Sequence, residues 1–236
     1  MARSQITESG FSLAGIDVFS GLEAEALKDI ERRCTRRRYE PGEPIVSHLD
    51  TSDDVFFLVS GDVRVTIYSP DGKAVSFRDL GPGKIFGEYP AIDGGPRSAS
   101  VEARTSCLVA SMRAVAFREL LLTEPRAAQA LMYQFVTTIR ALTTRVYEFS
   151  TLAVNNRIQA ELLRLTRSAS RKGGAARIAP APTHTEIASR VSTHREAVTR
   201  ELNRLARSGL IERQSGAIVV KDVDRLAQMV HDAIGE

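Results

Sequence analysis

The sequence predicts an α+β chain with three parts: an antiparallel β-roll or barrel over about residues 36–112, a long helix over roughly 126–152, and a helix–turn–helix block near the C-terminus. Three observations carry this prediction. Short segments rich in Val, Ile, Phe and Tyr, such as "DVFFLVSG" and "DVRVTIYS", follow one another with a glycine or serine at each end, the pattern of an all-β unit. Phe135, Ile139, Leu142, Val146 and Phe149 then recur at spacings of 4, 3, 4 and 3, the repeat of a coiled-coil seam. Two amphipathic runs finally flank Ser192-Thr193 in "EIASRVSTHREAVTRELNRLARSGLI".

Each element follows in order. Leu22, Ala26, Leu27 and Ile30 have helical spacing around "EAEALKDIERRC". From Arg37 the pattern changes to strands. Asp71-Gly72 in "SPDGKAVSFRDL" marks a hairpin tip, because glycine accepts φ > 0. "GPGK" breaks the chain at Gly81, and "ASVEARTSCLVASM" supplies two more strands. "RAVAFRELLLTEP" reads as a short helix closed by Pro125, followed by the long helix. "VNNRIQAELLRLTRSAS" reads as another helix and "RKGGAARIAPAP" as a loop. After the helix–turn–helix, Gly209 stops the second helix, and two short strands surround Ser215-Gly216. The expected domains are residues 1–125, a connecting helix over 126–153, and residues 154–236.

The totals agree with a globular chain. Apolar residues make up 43% and charged residues 26% of 236, an ordinary composition with enough apolar surface for a core. No apolar run approaches the roughly 18 residues that would span a bilayer, and the N-terminus lacks the apolar stretch of a signal peptide. The expected location is therefore the cytoplasm, with no membrane partner. Cys34 and Cys107 are too few and too far apart for a disulfide framework or metal cluster. No metal, nucleophile–base pair, Walker loop or zinc-ligand spacing is expected, and hence no enzyme. The net charge of +3 is unevenly spread: residues 154–236 carry 14 Lys/Arg against 9 Asp/Glu, and residues 1–153 carry 18 against 20. A basic C-terminal third points to a polyanion partner at that end.

Two stretches carry chemistry. The first is "FGEYPAIDGGPRSAS" from Phe86. Its glycines let the backbone bend and leave amides free to form an anion nest. Arg97 adds a planar, permanent cation suited to phosphate, and Ser98 a hydroxyl and an amide. The Glu88 carboxylate needs donors, which a ribose hydroxyl supplies. One arginine and one carboxylate suit a ligand with a single phosphate and a sugar; a surface Glu–Arg ion pair is the alternative. In the second stretch, Ile187, Ala188 and Val191 pack one helix against Val198, Leu202 and Leu205 of the next. That second helix begins at His194-Arg195-Glu196 and exposes Thr199 and Arg200 a turn later. Arginine near a helix N-terminus fits guanine O6 and N7, and glutamate fits cytosine N4, the design of a recognition helix in a major groove. The alternative is a structural helical hairpin with solvated charges.

The first stretch closely resembles the phosphate-binding cassette of cyclic-nucleotide-binding domains. Phe86-Gly87-Glu88 and Pro96-Arg97-Ser98-Ala99-Ser100 match at the right separation, while Tyr89-Pro90 depart from the usual leucine and small residue. The resemblance implies that Gly87 and Glu88 hold the ribose 2′-hydroxyl, and that Arg97, Ser98 and the Ala99 amide hold a cyclic phosphate. The second stretch resembles the winged helix–turn–helix of the CRP/FNR transcription regulators, with Arg195-Glu196-Ala197-Val198-Thr199-Arg200 as its reading element and "SGAIVV" near the wing. Ser192 stands where the family has a turn glycine. Both motifs occur in family order, and the resemblance covers about residues 15–225. It implies an N-terminal jelly-roll-like cyclic-nucleotide-binding β-roll, a dimerisation helix and a C-terminal winged helix–turn–helix domain.

The implied ligand is cAMP, with cGMP as the alternative, since the Ser98 hydroxyl can also meet the guanine amino group. Thr143 and Thr144, beside the Leu142–Val146 seam, are the implied purine contacts, or else polar flanks of that seam. The implied DNA-facing residues are Thr183, His184, Thr193, His194, Arg195, Glu196, Thr199 and Arg200, reading a palindromic TGTGA-type site. A homodimer through residues 126–153, an operator duplex and RNA polymerase are the implied partners, with a hinge near Ala153–Asn156. A regulator with another effector, or a nucleotide-binding module of a signalling complex, is the competing reading. An iron–sulfur effector lacks its N-terminal cysteine cluster, and a haem effector would have only His48 on the roll.

Overall fold

The computed structural model describes residues 11–68 and 74–235. The chain divides into two compact units, residues 1–138 and 139–236. The first unit opens with a 3-10 turn at Asp17–Phe19 and helix α1 at Ala24–Arg32, then runs through eight strands: β1 (Thr35–Tyr39), β2 (Pro44–Val46), β3 (Val55–Ser60), β4 (Val63–Tyr68), β5 (Ala74–Leu80), β6 (Ile85–Phe86), β7 (Ser100–Ala103) and β8 (Cys107–Met112). Between β6 and β7 lies helix α2 (Glu88–Asp93), and after β8 come α3 (Ala114–Thr123) and α4 (Pro125–Thr151).

These strands form two antiparallel sheets, ordered β1-β8-β3-β6 and β2-β7-β4-β5, the jelly-roll plan. The side-chain period of a strand explains how they pack. On β3, Phe56 and Leu58 join Val63, Leu80, Phe86 and Val101 in the core between the sheets. The alternate residues Val55 and Phe57 face the other way, onto Ile16, Phe19, Phe117 and Leu131. One sheet therefore lies between its partner sheet and the helices. The expected hairpin tip at Asp71-Gly72 lies outside the described residues, but the strands that it joins pair with Val63 opposite Leu80 and Arg64 opposite Asp79.

The second unit contains α5 (Val154–Leu165), β9 (Ser170–Lys172), β10 (Ala175–Ile178), α6 (His184–Arg190), α7 (Arg195–Arg207), β11 (Ile211–Gln214), β12 (Ala217–Val220) and α8 (Val223–Ile234). Its core joins Ile158 and Leu162 of α5 with Ile187, Val198, Leu202, Leu205, Ile218 and Leu226. Two elements differ from the sequence reading. The segment read as a loop at "RKGGAARIAPAP" is a hairpin, β9–β10. Gly173 and Gly174 both take positive φ, at 56° and 79°, which is how a tight hairpin turns, and Ala176 and Ile178 point into the core. Helix α8 was not anticipated. Asp222 caps it, its Oδ1 accepting from the Arg225 amide at 2.8 Å, and Val223, Leu226 and Val230 bury its inner stripe.

Candidate ligand site and nucleic-acid interface

Gly87 takes φ 75° and caps α2. A Cβ there would stand 2.7 Å from Arg97 Nη1 and 3.0 Å from the Phe56 ring, so only glycine fits. Glu88 is the first residue of α2 and 7% exposed. Burial pushes its carboxyl above the ordinary value, against the pull of its own backbone amide, Arg78 and Arg97. Pro90 is buried as the third residue of α2, among the first-turn amides that lack an intrahelical partner. Tyr89 also has its place: its ring packs on Phe135 of α4, with centroids 6.1 Å apart. The seam is thus divided. Phe135 packs against the first unit's core, while Ile139, Leu142 and Val146 are exposed.

Arg97 is only 1% exposed. Its Nε donates to Ser52 Oγ at 3.1 Å, Nη1 to the Gly87 carbonyl at 2.7 Å and Nη2 to the Asp54 carbonyl at 2.9 Å. The guanidinium lies 5.4 Å from the Phe56 centroid. Burial lowers its pKa, and Asp50, Asp54, Asp53 and Glu88 oppose that shift. A guanidinium carries five N–H donors, so two remain beyond these three bonds. Gly87, Glu88 and Arg97 are brought together, with Ser98 exposed and Ala99 half-buried in the bend before β7. Thr143 and Thr144 belong to the second unit. Their hydroxyls donate to the carbonyls of Ile139 and Arg140, both at 3.0 Å. The sequence reading missed Ser52 and Asp54, which come from the loop before β3.

In the second unit, Thr183 caps α6 in a reciprocal box: its Oγ1 accepts from the Glu186 amide at 3.1 Å, and its own amide donates to Glu186 Oε2 at 2.7 Å. The turn to α7 closes through the Thr193 amide on the Ala188 carbonyl at 2.9 Å. Ser192 takes φ 50° there, a left-handed conformation that favours glycine. Thr193 is half-buried, and His194, Arg195, Glu196 and Arg200 at the start of α7 are exposed. Thr199, expected to be exposed, is half-buried. Its hydroxyl donates to the Arg195 carbonyl at 3.0 Å and lies 2.8 Å from His184 Nδ1. Nδ1–H is then the donor to Thr199, so these two residues tie α6 to α7. Burial, Arg213 and Arg195 lower the His184 pKa, which favours this neutral form.

A buried ionic cluster underlies the interface. Glu161 and Glu148 are 3% and 4% exposed. Arg164 donates to both oxygens of Glu148 at 2.7 and 2.9 Å and to Glu161 at 2.9 Å. Arg190 of α6 meets Glu161 at 3.4 Å, and Arg145 of α4 at 3.5 Å. Arg145 also donates to the Arg190 carbonyl at 2.7 Å. On α7, buried Glu201 accepts from Gln159 at 2.7 Å and from Arg204 at 2.8 and 2.7 Å. The break between α4 and α5 falls at Leu152–Ala153, and the Arg–Glu cluster spans it. A glutamate three residues after Ile158, on the apolar stripe of α5, was the signal available in the sequence.

Among the described residues no cluster of His, Cys, Asp and Glu could hold a metal ion, and no helix is long and apolar enough to cross a membrane. Residues 36–124 match the model of the cyclic nucleotide-binding domain, and residues 156–229 that of the Crp-like helix-turn-helix domain. The chain is 27% identical to the CRP-like cAMP-activated global transcriptional regulator of Mycobacterium tuberculosis, over 92% of this chain and 97% of that protein. It is 28% identical to the cyclic AMP receptor protein of Thermus thermophilus, over 92% of this chain and 98% of that protein. The crystal structure of the Thermus thermophilus catabolite activator protein superposes with a TM-score of 0.54 at 27% identity, covering 92% of this chain and 99% of the other.

Proposed function

The chain belongs to the CRP/FNR family of transcription regulators, and from that premise we propose that a cyclic nucleotide in the β-roll controls its sequence-specific binding to an operator. One observation carries the ligand reading: Gly87, Glu88 and Arg97 converge, with a buried carboxylate beside a guanidinium that has two N–H donors left. In this reading Glu88 and the Gly87 amide hold the ribose 2′-hydroxyl. Arg97, Ser98 and the Ala99 amide hold the cyclic phosphate. Arg97 is nearly sealed, so the loop that carries Ser52 and Asp54 must open for its two remaining donors to reach the phosphate. Ligand binding thereby selects one arrangement of this loop from an existing equilibrium. The relatives' names make cAMP the first ligand to test. Thr143 and Thr144 are proposed to approach its purine.

At the other end, Arg195, Glu196 and Arg200 are the proposed readers of a TGTGA-type half-site, with His194 and Thr193 beside them. Thr183, His184 and Thr199 hold the reading helix in place. A homodimer through residues 126–153 would set two such helices about 34 Å apart on a palindrome, with RNA polymerase as the further partner in the cytoplasm.

The test is calorimetric titration of the full chain with cAMP and cGMP, with and without operator duplex. Binding in the micromolar range, lost in Arg97→Ala, supports the ligand reading; no binding below millimolar overturns it. Arg195→Ala is expected to relax base preference within the half-site, and unchanged preference would remove the recognition role.

A further inference from the structure

Helix α2 is six residues long, too short to hold together on its own. Yet its first residue, Glu88, has to stand at a fixed point against a ligand, so the helix depends on what surrounds it. Buried Pro90 and Ala91 pack its inner side, and the Tyr89 ring leans on Phe135. The last turn needs more than packing, because the final four carbonyls of a helix lack an intrahelical partner. The Gly94 amide satisfies the Pro90 carbonyl at 3.0 Å. Ala91 is 0% exposed, so water cannot serve its carbonyl.

That carbonyl is met from another helix. Arg118 of α3, 27 positions along the chain, donates through Nη1 to the Ala91 oxygen at 2.8 Å. The bond satisfies a buried acceptor that is costly to leave unmade. It also sets a permanent cation against the negative end of the α2 dipole.

The placing of Arg118 on α3 leaves it free for this task. Ala114, Phe117 and Leu120 form the buried stripe of α3, while Arg118 lies on the exposed side. The neighbouring Glu119 is paired with Arg33 at 3.5 Å. Losing the guanidinium therefore spares the core of the first unit and releases the end of α2. Glu88 and Ala91 are three residues apart, about 4.5 Å along the helix axis, so less than one turn joins the tie to the carboxylate. Arg97 is held from Ser52, Asp54 and Gly87, all of which come before α2.

We propose that Arg118 is a positioning residue of the ligand site: by closing the last turn of α2, it holds the Glu88 carboxylate where the ribose 2′-hydroxyl binds. This deepens the cyclic-nucleotide reading and rests on it. The phosphate contacts of Arg97 do not depend on that tie.

Arg118→Met keeps an unbranched stem without donor or charge, and Arg118→Lys keeps both donor and charge. Full-length wild type and the two variants are titrated with cAMP and 2′-deoxy-cAMP by calorimetry. Amide exchange in α2 is followed without nucleotide, and thermal melts check folding. Wild type is expected to bind cAMP more tightly than the deoxy analogue. Arg118→Met is expected to weaken cAMP about fivefold, to leave 2′-deoxy-cAMP within about twofold, and to speed exchange in α2. Arg118→Lys is expected to recover most of the cAMP loss. Arg118→Ala, read in the same way, carries the test if the methionine variant does not fold. Unchanged cAMP affinity or α2 exchange in Arg118→Met, an equal loss for both nucleotides, or a lysine variant no better than methionine overturns the positioning role. Each of these leaves the cyclic-nucleotide site standing. Equal wild-type affinity for the two nucleotides removes Glu88 from the ribose and this role with it, and failure of wild type to bind either removes the site itself.

Discussion

At the residue scale, Glu88 joins stability to ligand chemistry. Its carboxyl is buried and its pKa is raised above the usual 4.5, so the native state holds a proton that the unfolded chain has already released. Between those two values the native state binds more protons, and stability falls as pH rises through the window. Glu88→Gln removes this dependence. Denaturant titrations of both proteins from neutral pH down to 4.5 are expected to show wild type gaining stability relative to the variant. Parallel curves would mean that Glu88 is solvated. The residues of this site differ in how readable they were. Gly87, Glu88 and Arg97 lie within eleven consecutive positions, and their spacing gave them away. Ser52 and Asp54 come from the loop before β3, 45 and 43 residues from Arg97. Backbone bonds from the Leu49 amide to the Arg97 carbonyl and from the Arg97 amide to the Asp50 carbonyl bring that loop to the site, a pairing between distant segments that composition does not carry.

At the scale of elements, buried charge ties together α4, α5 and α6, the helix before the reading helix. Three arginines from α4, α5 and α6 converge on Glu161. Removing the shared carboxylate leaves cations without their counter-charge, a loss of about 3–5 kcal/mol for a buried pair. Glu161→Ala is expected to show that loss and to speed amide exchange in α5 and α6, measured by hydrogen–deuterium exchange; protection equal to wild type would assign the cluster no mechanical role. The helices and strands with strong periodicity, such as α4, α7 and β3, were legible from their apolar spacing. The β9–β10 hairpin was not, because Gly173-Gly174 beside Pro180 and Pro182 resembles loop composition. What makes it a pair of strands is the edge of β12, on which β10 docks. Helix α8 could have been found: Asp222, Val223, Leu226 and Val230 give a cap and a helical stripe.

For the whole molecule, the exposed Ile139, Leu142 and Val146 of α4 set the expected assembly. A charge in a coiled-coil seam opposes pairing, so Leu142→Asp is expected to shift sedimentation from dimer to monomer and to abolish binding to a two-half-site operator. A variant that remains dimeric would place the interface elsewhere. Basic residues concentrate in the second unit, so operator affinity should fall steeply with salt, and a flat salt profile would argue against phosphate contacts.

The four-stranded sheet of the second unit has β11 and β9 as its outermost strands. Ser170, Arg171 and Lys172 on one edge, and Glu212, Arg213 and Gln214 on the other, are all exposed. Charged edge strands discourage a second sheet from adding on. Copies bound side by side along one duplex can therefore lie close together without their sheets pairing edge to edge.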